Sequence, residues 1–156
     1  MDSGIAARLQ ALNLALPQAP APSASYVPWV RTGNLVFISG QVPKSDGKDA
    51  YVGKLGREFD VAQGQEAARL CALSLLAHLD SAVQGDIGRV RRCVRLGGFV
   101  NSTPEFGEHP QVLNGASELM LAVFGDAGRH ARAAVGVAGL PRGVAVEVEG
   151  LFEIAG

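Results

Sequence analysis

Cysteine is scarce in this chain, and long apolar runs are absent. Cys71 and Cys93 are the only two cysteines among 156 residues. They form no C-x-x-C pair and have no clustered histidines nearby, which argues against a disulfide framework or a structural metal site. Two reduced, buried thiols are expected, as in a cytoplasmic protein of a reducing compartment. No stretch approaches the roughly 20 consecutive apolar residues that span a bilayer. The first residues carry Asp2 and spaced apolar positions, which does not read as a signal peptide. The formal net charge is −1, so the overall balance calls for neither nucleic acid nor an anionic membrane.

Against these absences, 47% of the residues are apolar and 19% charged, ample for a core and typical of one domain at this length. Residues 1–156 read as a single domain: an N-terminal helix over 1–17, a connector over 18–25 and a core over 26–154. Ile5, Leu9, Leu12 and Leu16 repeat at helical intervals from Ser3 to Leu16, and Pro17 ends them. The connector is rich in proline and small residues. Leu35–Ser39 is apolar on both faces, and Gly33-Asn34 suggests a hairpin turn back to a Tyr26–Val30 strand. Residues 44–57 are polar and glycine-rich, as in an ordered surface loop. Asp60 and Gln63 form a capping box, and Ala68, Ala72, Leu75 and Leu79 give the following helix its apolar stripe, which Gly85 stops.

Val90–Val100 alternates as a strand, with Arg92, Val94 and Leu96 expected on one face and Arg91, Cys93, Arg95 and Phe99 on the other. Pro110 opens a second helix with Val112, Ala116, Leu119 and Val123 inward. Two strands follow, Arg132–Ala138 and Val144–Phe152, joined around Pro141-Arg142-Gly143. The order β-β-α-β-α-β-β implies an α+β fold: a mixed sheet with two helices on one face, plus the N-terminal helix. Strands apolar on both faces need a cover that these helices do not supply, so self-association through the sheet is expected.

Two separated motifs now carry a resemblance. Gly33-Asn34…Ser39-Gly40-Gln41-Val42-Pro43 resembles the G-N-x-x-x-x-S-G-Q-x-P signature of the RidA/YjgF/UK114 family. Ala131-Arg132-Ala133-Ala134-Val135, Leu140-Pro141 and Val146-Glu147-Val148-Glu149 resemble its ending. The fifteen residues from Arg132 to Glu147 and the seven from Tyr26 to Gly33 keep its spacing. The resemblance covers Tyr26 to Phe152 and points to a longer subgroup. It implies a chorismate-mutase-like fold and a homotrimer with a central β-barrel. It also implies inter-subunit clefts that hydrolyse 2-imino acids to 2-oxo acids and ammonia, with no metal or organic cofactor.

In that setting Arg132 is the expected bidentate anchor for the ligand carboxylate, and Glu147 the group that positions and deprotonates water. Tyr26 supplies a phenol lid, while Ser39 and the Gly40 N–H bind the carboxylate or developing charge. Ala134 is also expected in the pocket; at Ala134 and Gly136, family members with proven deaminase chemistry often carry cysteine and glutamate. Glu149 is expected to pair with an arginine. If the last two strands form a tight hairpin, Arg132 and Glu147 stand roughly 13 Å apart, which favours a site at a junction between chains or strands that are not simple partners. Two other readings compete. One is a regulatory module that binds a small carboxylate without turnover. The other is a nuclease using Arg89, Arg91, Arg92 and Arg95, which alternation and the lack of an aromatic platform disfavour. His109 and His130 read as structural or solvated, and His78 as helix surface.

Overall fold

The structure is a computed structural model that describes residues 3–19 and 25–156; most of the expected connector lies outside them. Local chemistry sets the first elements. Helix α1 runs over Ser3–Ala11 and stops short of the expected Leu16. Asn13 turns left-handed at φ 51°, and the Leu14 N–H bonds back to the Leu9 carbonyl, a helix-ending geometry that asparagine tolerates. Leu9, Leu14 and Leu16 still pack on the core, so the apolar spacing outlasts the helix itself. Strands β1 (Trp29–Thr32) and β2 (Leu35–Gln41) form the expected hairpin with Gly33 at φ 58°. Tyr26 precedes the strand instead of belonging to it.

The expected surface loop contains a small hairpin, β3 (Lys44–Ser45) and β4 (Lys48–Asp49). Asp46 and Gly47 turn it at φ 50° and 74°, the pair of positive φ values that a two-residue Asp-Gly turn supplies. Helix α2 (Val61–Ala82) opens with both halves of the Asp60–Gln63 capping box. Gln84 and Gly85, both at positive φ, follow its end.

Strand β5 (Val90–Asn101), helix α3 (His109–Phe124) and strands β6 (Ala131–Val137) and β7 (Val146–Ile154) complete the chain. The sheet order is β1-β2-β7-β5-β6, antiparallel except for β5 with β6. The last two strands are therefore not a hairpin, because β5 lies between them. Strict alternation in β5 also fails: the pairing shifts between Val90 and Arg92 and again between Cys93 and Arg95. Such bulges put an extra residue in the strand, so Cys93 and Leu96 are both buried and share the core side. Helices α2 and α3 pack on each other and on one face of this mixed sheet, which makes the fold α+β. The opposite face is open, and Val30, Phe37 and Val135 stand there 53%, 46% and 46% exposed. Both cysteines are free and buried. No described helix is long and apolar enough to cross a membrane.

Candidate functional site

A bulge in β2 shapes the cleft that holds most of the expected site residues. Pairing with β7 jumps from Ile38–Gly150 to Gln41–Val148, so Ser39 and Gly40 leave the regular ladder. Around them opens a cavity of about 610 Å³ whose walls include Tyr26, Ser39, Gly40, Lys44, His78, Phe99, Arg142, Glu147 and Glu149. Ser39 donates its hydroxyl to the Val27 carbonyl at 2.8 Å, and its N–H bonds to the Pro28 carbonyl at 2.9 Å. The hydroxyl proton is thus committed to holding the segment beside Tyr26, which is 49% exposed at the cleft. A Cβ on Gly40 would lie 3.0 Å from the Glu147 Cδ, so glycine gives the carboxyl its room.

Charge distribution follows from strand register. Val146 and Val148 are buried, while Glu147 and Glu149 alternate with them on the open face. Burial raises the Glu147 pKa, Glu149 adds to the rise, and Arg142 opposes it. Glu149 meets Arg95 at 3.4 Å, the arginine pairing expected for it. At the rim, Asp49 from the small hairpin binds both the Lys44 ammonium at 2.7 Å and the Arg142 guanidinium. These hydrogen bonds hold the Asp49 carboxyl down to about 2. Arg142 reaches that position from a left-handed backbone at φ 56°.

Arg132 is not among the residues lining the cleft. It pairs with Leu96 across β5–β6, whereas Glu147 pairs with Phe99 across β5–β7. Three residues along and two strands across place their backbones roughly 14 Å apart. The faces differ too. Arg132 turns to the helices and donates to Asn114 Oδ1 at 2.8 Å and Ser117 Oγ at 3.1 Å on α3. Ser117 in turn meets His130 Nε2 at 2.8 Å, and His130 Nδ1 meets the Gly128 carbonyl at 2.6 Å. A carbonyl only accepts, so Nδ1 carries the proton and Nε2 accepts from Ser117. Burial, first, and Arg132 lower the His130 pKa against the Gly128 bond, consistent with this neutral tautomer. Within one chain, Arg132 and the Glu147 cleft do not form one site.

Comparison with known proteins places this architecture. Residues 6–148 match the family described as "YjgF/chorismate_mutase-like, putative endoribonuclease". The chain belongs to the YjgF/RidA family. It is 50% identical to Protein TCP17 of Trypanosoma cruzi over 151 residues, covering 96% of this chain and 94% of that one. The solved structure of Atu1372 from Agrobacterium tumefaciens, a protein of unknown function, is 49% identical with TM-score 0.90, covering 96% and 92% of the two chains. RidA from the Antarctic bacterium Psychrobacter is 28% identical with TM-score 0.61, covering 88% and 94%.

Against the YjgF/RidA pattern, the departures at 134 and 136 have structural counterparts. Ala134 packs on the core beneath β6. A Cβ on Gly136 would stand 2.5 Å from His109 Nε2 and 3.0 Å from Ser102 Oγ. His109 thus fills the space a side chain at 136 would need. It contacts Ser102 at 3.1 Å and the Phe106 ring edge-on, a structural setting. His78 differs from its expected surface place: it is 2% exposed. Helix α2 is covered by the sheet and α3 and also touches β1, β2 and β3, so its buried arc is wider than the leucine stripe suggests. Asn114, Ser117, Asp49 and Lys44 carried no signal in the sequence. Asn114 and Ser117 lie three apart on one helix face, but only the fold brings them to Arg132. No group of three or more His, Cys, Asp or Glu side chains able to hold a metal occurs among the described residues.

Proposed function

We propose that this protein hydrolyses reactive 2-imino acids and their enamine precursors to 2-oxo acids and ammonia, in clefts between the subunits of a homotrimer. The observation that carries the reading is the partition of the expected site. Tyr26, Ser39, Gly40 and Glu147 line one cleft of the chain. Arg132 is fixed on the other sheet face by Asn114 and Ser117. A neighbouring copy is the simplest source of the missing Arg132. The uncovered Val30, Phe37 and Val135 supply apolar surface for such packing through the open face.

In the assembled site, Arg132 of one copy holds the substrate carboxylate by paired hydrogen bonds, fixing its position and orientation. Glu147 of the other faces the imine carbon. Its raised proton affinity lets the carboxylate take a proton from water as the C–O bond forms. Return of that proton to nitrogen makes ammonia the leaving group, and loss of the adduct's hydroxyl proton as the C–N bond breaks leaves the 2-oxo acid. Tyr26 closes the outer side, and exclusion of competing nucleophiles protects the electrophile. The imine carbon is already electrophilic, so positioning supplies much of what the reaction requires. Two buried thiols, with Cys93 pushed up to about 12 by burial, suit a reducing cytoplasm.

The test generates 2-imino acids in situ with an amino-acid oxidase and traps them with semicarbazide. The protein is expected to suppress trapping. Arg132→Ala is expected to lose small-carboxylate binding by about 2–5 kcal/mol, read by calorimetry with 2-oxobutyrate. Binding without acceleration of any imine would replace the enzyme reading with a carboxylate-binding module.

A further inference from the structure

We infer that His78 is a ligand-contacting residue of the cleft, selecting molecules whose side chain ends in an uncharged hydrogen-bonding group such as a hydroxyl. The inference rests on the small-carboxylate reading above and names the substrate class for that site. His78 is 2% exposed yet lines the cleft. No described residue gives its ring a hydrogen bond. No buried side-chain nitrogen or oxygen among the described residues is both sealed and unpartnered. The ring nitrogens of His78 are therefore not sealed, and the residue lines the cleft.

A nine-tenths-buried imidazole without a protein partner is unusual, because buried polar groups are nearly always paired. Its neighbours also set its character. Burial is the one resolved influence on its proton affinity and lowers it, leaving a neutral ring with one donor and one acceptor. The charged groups of the cleft, Lys44, Arg142, Glu147 and Glu149, instead come from the strands and the Pro141–Gly143 turn. A ligand thus meets ionic groups on those elements and a neutral, two-sided hydrogen-bonding group on α2. An aliphatic tail of equal size would leave the imidazole unpaired, and sites built to bond a hydroxyl discriminate strongly against analogues lacking it.

The experiment compares hydroxyl-terminated and methyl-terminated 2-oxo acids of matched length, beginning with 4-hydroxy-2-oxobutanoate and 2-oxopentanoate. Affinities are measured by calorimetry on the wild type, His78→Leu and His78→Gln. The wild type is expected to favour the hydroxyl member of the better-fitting pair by at least about 10-fold. His78→Leu is expected to bring the ratio to about one without weakening the methyl member, and His78→Gln to keep part of the preference. On the unmodified protein, the ¹⁵N resonances of the His78 ring are expected to shift with the hydroxyl acid and much less with the methyl acid. This readout stands even if a variant fails to fold. Equal affinities in the wild type, or a preference that survives His78→Leu, would overturn this inference alone. Failure of every 2-oxo acid to bind would overturn the carboxylate reading and this inference with it.

Discussion

Replacing Gly40 by alanine tests the role of Glu147 with one methyl group. The added Cβ would lie 3.0 Å from Glu147 Cδ and 3.1 Å from both Cγ and Oε1. Ordinary contacts begin near 3.4 Å, so the carboxyl must retreat by about 0.4 Å. A displacement of ~1 Å at a reacting group can cost ~10²-fold, which scales to roughly a 3–10-fold loss of kcat here. Gly40 is not at positive φ, so alanine brings no left-handed strain and removes freedom from the unfolded chain. Thermal stability is therefore expected to hold or rise slightly while turnover falls, and 2-oxobutyrate binding, anchored at Arg132, is expected to change little. Imine hydrolysis followed by semicarbazide trapping, with calorimetric unfolding in parallel, reads both quantities. A Gly40→Ala protein with wild-type kcat would refute the assignment of Glu147. A parallel collapse of stability would show that the glycine serves the fold.

Three further outcomes are expected. If Glu147 is the base, as proposed, it works only when ionised, and its raised pKa is expected to put the acid limb of the rate profile above the ordinary carboxylate value of about 4.5. Glu149→Gln is expected to move that limb down in pH and Arg142→Ala to move it up, so unchanged limbs in both would contradict the assigned neighbours. Asp49 has its carboxyl lowered from 3.8 to about 2, so its stabilisation is complete above 3.8 and lost as pH falls toward 2. Unfolding at pH 5, 3 and 2 is expected to show this slope in the wild type and a weaker one in Asp49→Asn. Gly115→Ala would set a Cβ 2.0 Å from the Gln65 backbone carbonyl, forcing α2 and α3 apart. The loss is expected to be about 1–3 kcal/mol by denaturant unfolding, and an unchanged midpoint would sink the packing argument.

Much of the architecture was legible wherever the cause is local. The Asp60–Gln63 box, the stripe of α2, the proline start of α3 and the β1–β2 turn each depend on residues a few positions apart. Errors arose where tertiary context decided. The helix at the N-terminus ends at Ala11 because the left-handed turn at Asn13 interrupts a continuing apolar pattern. Cys93 and Leu96 share a face because β5 bulges, which alternation alone does not register. His78 is buried by strands remote in sequence. The Arg132 support from Asn114, Ser117 and His130 spans a helix, a turn and an edge strand. Both motifs were visible as words in the sequence. The placement of Arg132 and Glu147 on opposite faces of one sheet required the strand order.

Mixing two defective proteins tests the central claim, a site shared between copies, most directly. Arg132→Ala and Glu147→Gln chains, each expected to be nearly inactive alone, are co-refolded in equal amounts and assayed for imine hydrolysis. If each site takes Arg132 from one copy and Glu147 from its neighbour, random assembly leaves about one site in four intact, and about a quarter of wild-type activity returns. Activity that stays at the level of the separate variants, in oligomers proven to be mixed, would contradict the shared site.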